Sequence, residues 1–407
     1  MEFIFAFIII VLILFEYKLY KTFINPFTII ALIYCILIPF NNFIGADLLQ
    51  FDKVNDNSIF YILYFLIIIF IVSLIFYPLI NDNRFTKQLQ NNYGNYEKMI
   101  VVNKRKFILC LFIIGFIAKY ISLLQCIQAY GINNIKGKSS GIFAHIGGLS
   151  VILLPYILLI YVNNKRKVYY LIMILLVFLN LLMFGGKYGI IIAFAHMIIF
   201  YAMMRNINIK KTLKYGLLMA GIAIFIFIGI YAIKPIIING YFSKDEFLIS
   251  MEFSIRHFFS YLLGPLVASN YYFNNFSREG IIILFTVLIN IVKALIGSKD
   301  YINPVNKNFV SIAYNKVTNV GGLFSECVYN SGFLISTIYI AFFFSLVYYF
   351  YLNARYKGKK ISICAYMLSV VLMMFFSNFL TVSGVVLNLI YLYIIEIVLS
   401  KKIILRK

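Results

Sequence analysis

The chain has 407 residues, of which 63% are hydrophobic and 12% charged, and its mean hydropathy is +0.93. That composition excludes a soluble globular protein. The formal net charge of +22 would suggest nucleic acid in a soluble chain. Beside so many apolar runs it reads instead as basic loops holding membrane helices in place, with the lipid bilayer and no nucleic acid as partner.

The first residues, MEFIFAFIIIVLILFEYKLYK, carry an acid where a signal peptide wants basic residues. They offer no small-residue cleavage site, so they are expected to remain as a first helix. A bilayer core needs ~20 apolar residues per helix. Candidate spans follow at 3–16, 23–40, 59–80, 107–128, 146–162, 168–184, 188–204, 215–233, 331–352, 361–380 and 384–399. Two further apolar runs, 258–273 and 280–296, are ambiguous. Cys35, Cys110, Cys126, Cys327 and Cys364 form no CxxC and mostly lie in apolar runs, so buried structural thiols are expected. The abundance of Ile, Phe, Tyr, Asn and Lys, with no Trp, suggests an AT-rich bacterial genome.

The basic residues orient the spans. Lys and Arg cluster around 18–21, 84–106, 165–167, 205–214, 355–360 and 401–407. The alternate short loops carry only Lys53, Lys136, Lys138 and Lys187. This predicts an all-α polytopic membrane protein of about 11 spans, a single integral membrane domain over 1–407. Its N-terminus faces out and its C-terminus in, with a large extracytoplasmic segment at 234–330 containing amphipathic helices. The loop at 355–360 must be inside, so 258–273 and 280–296 either both cross or both stay outside; the second is favoured.

Residues 246–262 show why. On a helical wheel Phe247, Leu248, Met251, Ile255, Phe258, Phe259 and Leu262 fall within an arc of about 120°. Glu246, Ser250, Ser254 and His257 line the other face, and Glu252 precedes Arg256 by four residues, the favourable order for a pair. Such a stripe fits a helix lying at the outer interface rather than spanning it. Gly264-Pro265 is expected to end that helix. The helix is either a cap with a Glu252–Arg256 pair, or the lining of an extracytoplasmic site.

Charges at membrane depth add candidates. Lys119, in GFIAKYISLLQ, lies well inside a span, where lysine is costly and a functional candidate unless it snorkels. FGGKYG (184–189) places Lys187 in a tight turn at the outer end of a helix, and Lys234-Pro235 closes another helix on the same side. With Arg256, these cations could converge on one outer cavity. The outer segment also carries Lys244, Arg278, Lys293, Lys299, Lys307 and Lys316, which suit either an anionic ligand or simple solubility. No DxD, P-loop, HExxH or GxSxG is present, and His145, His196 and His257 are scattered. No metal site, nucleotide site or cofactor is therefore expected.

This layout resembles the oligosaccharide repeat-unit polymerases (Wzy-type O-antigen or capsular polysaccharide polymerases). Three stretches carry the likeness: FGGKYG, RHFFSYLLGPLVASNYYF and NVGGLFSECVYNSGFLIS. The mid-chain position that is often Arg in that family is Lys187 here. The resemblance implies a glycosyltransferase of the bacterial cytoplasmic membrane. It would polymerise undecaprenyl-diphosphate-linked glycan at the outer face, with a chain-length regulator protein as a further partner. A diphosphate leaving group needs cations, and the acceptor hydroxyl needs a base. Arg256, His257 and Glu252 are the catalytic candidates; Lys187, Lys234, Arg278 and Lys119 the substrate-binding ones. Glu279 and Glu326 are further bases that the sequence does not separate from these. The alternatives are a flippase or transporter for the same lipid-linked units, and an O-antigen ligase.

Overall fold

The computed structural model describes residues 1–80, 93–205 except 132–133, 136–137, 139–140, 165–166 and 186, and 243–400 except 278–279, 299, 304 and 306–307. Between 206 and 242 it describes only isolated positions. The expected span at 215–233, together with Lys234, Arg278 and Glu279, lies outside the described residues.

In chain order the helices are α1 (Glu2–Tyr20), α2 (Pro26–Phe40), α3 (Asp56–Phe76), α4 (Arg105–Tyr130), α5 (Ile142–Ile152), α6 (Leu154–Asn163), α7 (Val168–Met183), α8 (Lys187–Met204), α9 (Lys244–Tyr272) and α10 (Thr286–Leu295). A hairpin of β1 (Val310–Ala313) and β2 (Lys316–Thr318) follows, then α11 (Gly322–Lys357), α12 (Ile361–Met373) and α13 (Ser383–Ser400). Among the described residues, eight helices are long and apolar enough to cross a membrane. Three shorter apolar helices, Val168–Met183, Gly280–Leu295 and Ile361–Met373, accompany them. The chain is an all-α polytopic membrane protein apart from one hairpin among the described residues. All five cysteines are free; Cys126, Cys327 and Cys364 are buried, whereas Cys110 is exposed on the outside of α4.

The chain folds into two compact units. The first comprises Met1–Tyr77, Ile209–Leu346 and Val371–Val382. Its helices start on side-chain caps that the sequence supplies. Asn25 accepts from the Thr28 N–H (2.7 Å) ahead of Pro26, and Asn55 accepts from Ser58 (2.8 Å). Pro39 cannot donate within α2, and the helix widens into a π turn at Asn41–Gly45. The two asparagines there hold the next segment: Asn42 exchanges bonds with Val54 (2.9 and 2.8 Å), and Asn41 donates to the Asp52 carbonyl (3.0 Å). Phe51 thus reaches the edge of β1, bridging Ala313, while the Asp52 N–H donates to Ile312 (2.9 Å).

In α9 the expected break at Gly264-Pro265 does not occur. The helix runs unbroken for 29 residues with Pro265 inside it. Packing overrides the proline: Leu263 through Ala268 are buried, and the missing Cβ of Gly264 lets Ile312 approach, where a methyl group would sit 2.8 Å from its Cδ1. The glycine serves close approach rather than a turn. The break falls instead inside α11, at Gly332 (φ 73°), where the Ser277 N–H donates to the Tyr329 carbonyl (2.7 Å).

The second unit comprises Pro78–Asn208, Val347–Val370 and Ser383–Lys407. Its tightest packing pairs α4 with α5 through Gly115 and Gly147, whose missing side chains admit the Leu149–Ser150 backbone and the Lys119 backbone. A buried polar cluster lies elsewhere in it. Glu396 accepts from Tyr96, Tyr156 (3.1 Å) and the Ser362 N–H (3.3 Å), and His196 meets Ser362 at 3.1 Å. Every partner is satisfied, as burial in an apolar bundle requires.

Candidate functional site

Of the polar stripe of α9, Ser254 is the residue turned into the protein. Ser254 is fully buried and donates to the Ser250 carbonyl (2.5 Å), while Leu248, Ile249 and Met251 are exposed. Phe259 of the expected apolar arc instead packs inward, stacking on Phe40 (5.8 Å, 17°). Arg256 pairs with Glu252 at 2.8 Å, both side chains being mostly exposed. His257 stacks on Phe253 and meets Tyr261 edge-on.

The hairpin sets a second cation beside them. Asn315, in the left-handed region (φ 55°), makes the turn, as asparagine tolerates. Lys316 then pairs with Ala313, and its ammonium rests 4.7 Å from the centre of the Phe51 ring. Partial burial, then the nearby Arg256 guanidinium, hold the Lys316 pKa below the ordinary lysine value. Among the described residues Lys316 has no carboxylate partner. Arg256 thus keeps the Glu252 carboxylate, and Lys316 adds a second positive charge near it.

Below lies a buried acid. Glu326, on the first turns of α11, accepts from the Gly321 N–H (3.0 Å), the Asn378 N–H (2.8 Å) and the Ser377 hydroxyl (2.9 Å). The backbone adds two clamps: Gly322 N–H to Phe376 (3.2 Å) and Leu323 N–H to Met374 (2.7 Å). Gly322 has φ 77°, and a methyl group there would meet the Phe375 carbonyl at 2.6 Å. Glu326 thereby fixes the 374–378 turn, and Phe376 of that turn stacks on Tyr261 (5.7 Å, 8°). Both Glu326 oxygens are occupied, whereas His257 is partly exposed.

Of the residues singled out from sequence, the structure brings Glu252, Arg256 and His257 together on α9. Lys119 and Lys187 belong to the second unit. Lys119 sits on the packed side of α4, next to Gly147, and its carbonyl is 3.5 Å from the Asn180 amide. Lys187 opens α8 after Gly185 (φ 65°). Lys316 was named among the outer cations without a role of its own, and Tyr261, Phe376 and Ser377 were not singled out. Only the Asn-Gly-free turn chemistry of AYNKVT and the aromatic run in MFFSNF hinted at them, and neither shows which segment they meet. Among the described residues no three His, Cys, Asp or Glu gather as metal ligands. Comparison with protein-family models, with curated proteins and with solved structures finds no match to this chain.

Proposed function

We propose that this chain polymerises lipid-linked oligosaccharide repeat units at the outer face of a bacterial cytoplasmic membrane. The observation that carries the reading is the placement of hairpin Lys316 near Arg256, where Arg256 alone holds a carboxylate, on a helix that also carries His257 and exposes Leu248, Ile249 and Met251. Such a helix meets a substrate that is itself anchored in lipid. Its cations face a group that gains negative charge as it leaves.

The reaction is a displacement at an anomeric carbon. The acceptor hydroxyl oxygen forms the new glycosidic bond as the bond to the diphosphate oxygen breaks, and that oxygen leaves with the electron pair. The hydroxyl proton passes to His257. Arg256 and Lys316 stabilise the departing undecaprenyl diphosphate, the charge-stabilising role that is usually the largest single contribution. Glu326 holds the turn beneath them.

Deleting the gene tests the reading. Cells should then display single repeat units or none, with no long polymer. Long polymer that persists, or lipid-linked units that stay on the inner leaflet, would favour transport over transfer.

A further inference from the structure

The apolar run 280–296 takes no part in the chemistry proposed above. It folds as a 3-10 turn (Gly280–Phe285) that passes directly into α10. One side of it is packed: Ile283, Leu284, Thr286 and Val287 are buried, and both segments rest on the turn Phe379–Thr381. The other side is exposed. Phe285, Leu288, Val292, Leu295 and Ile296 stand out from the protein, from 43% exposed at Phe285 to 82% at Leu295. At 100° per residue these five fall within an arc of about 100°. The burial pattern and the helical wheel therefore agree on one apolar face.

Three features say what covers that face. The first is the path of the chain beyond it. Gly297 (φ 75°) turns the backbone, and Ile302 returns beside Asn290, in the middle of α10, exchanging two bonds of 2.8 Å. Lys293 donates to the Asp300 carbonyl (2.7 Å), and the Asp300 side chain is 94% exposed. Irregular backbone and an exposed carboxylate are out of place in hydrocarbon, so α10 does not cross the bilayer. The second feature is depth. Thr381 stands just before Ser383, where the candidate span Ser383–Ser400 begins. A helix packed on that turn sits at the level where the span leaves the membrane, on the outer side by the basic tail at 401–407. The third is the width of the arc. Paired helices bury a narrower seam, whereas a broad arc suits a flat surface.

We infer that α10 lies along the outer membrane surface as a foot, with Phe285, Leu288, Val292, Leu295 and Ile296 sunk between lipid headgroups and acyl chains. The returning loop at 297–302 faces water. Through the 379–381 turn, the foot sets the depth of the neighbouring 374–378 turn that Glu326 holds. It does so whichever reaction the first unit carries out.

The chain contains no tryptophan, so Phe285→Trp and Leu295→Trp each introduce a single indole at one end of the arc. The full chain would be reconstituted in phosphatidylcholine liposomes doped with phosphatidylcholine brominated either near the headgroup end or near the methyl end of its acyl chains. A foot sunk about 5–10 Å and lying flat predicts that bromine near the headgroup end removes about half of the emission or more, equally for both indoles. Bromine near the methyl end and aqueous iodide should remove little. Unequal depths, with one indole quenched best from the methyl end, would mean that the run crosses the bilayer and would overturn the foot. Indoles that iodide reaches and bromine does not would overturn it too. A disulfide-linked dimer that forms with Leu288→Cys and not with the unaltered chain would assign the face to a second copy, with the same consequence. Should either tryptophan variant fail to accumulate, Leu288→Trp takes its place, and quenching from the headgroup end is again required.

Discussion

Arg256→Ala separates a structural role from a chemical one. Arg256 Nη2 lies 2.8 Å from Glu252 Oε1, with side chains 61% and 65% exposed. At that exposure an i,i+4 pair contributes about 0.3–0.5 kcal/mol. Removing Arg256 also relieves its repulsion of Lys316, which offsets part of the loss. The net change in stability should stay below about 1 kcal/mol, and protein abundance should hold. If Arg256 stabilises the departing diphosphate, its loss should slow transfer by about 100- to 1,000-fold, because a preorganised donor to developing charge is worth about 2.7–4 kcal/mol. Arg256→Lys should recover only part of this, since lysine lacks the planar fork. Glu252→Gln controls for the pair itself. The assay is membrane abundance by immunoblot together with polymer length on a gel, for all three variants. Normal polymer from Arg256→Ala at normal abundance would refute the leaving-group role and leave the ion pair as a helix cap.

Other outcomes follow from the same geometry. Glu326→Gln replaces one of two acceptor oxygens with an amide donor, so one of the backbone N–H groups at Gly321 and Asn378 loses its acceptor. It should destabilise the first unit by about 1–3 kcal/mol, read as a lower apparent Tm in detergent; an unchanged Tm would show the clamp to be idle. Gly321→Ala would drive a methyl group into the Tyr272 ring and should lower abundance sharply, whereas Gly384→Ala, which meets nothing within 4 Å, should not. The Lys316 pKa is held below the ordinary lysine value, so its cation is present at low and neutral pH and lost earlier than usual as pH rises. Affinity for pyrophosphate should therefore fall with rising pH below the ordinary lysine range (about 10.4), and Lys316→Met should flatten that fall; a parallel fall in the variant contradicts the assignment. Cysteines placed at Asn275 and Val310 should react with a membrane-impermeant reagent from outside, and labelling only after lysis would remove the proposed site.

Helices were legible wherever an apolar run carried its own boundary signals. Asn25-Pro26 and Asn55 start α2 and α3 because their side chains answer the first free N–H groups locally. The Glu252–Arg256 pair was legible for the same reason, since four residues on a helix fix the neighbours. Gly264-Pro265 misled because its outcome depends on Ile312, distant in sequence, filling the space over Gly264. The rest of the site is non-local in the same way. Lys316 matters because Asn41 and Asn42 bring Phe51 to β1, and Glu326 finds its donors at Ser377 and Asn378, fifty-one and fifty-two residues on. No periodicity encodes such meetings; burial decides them.

The most direct test is a reaction with pure components. The chain, reconstituted in liposomes, would receive undecaprenyl-diphosphate-linked repeat units isolated from the source cells, with no nucleotide or metal added. Glycan chains longer than one unit should form on the lipid, with one undecaprenyl diphosphate released for each linkage formed. Units that move between leaflets while no linkage forms and no undecaprenyl diphosphate appears would contradict the polymerase reading.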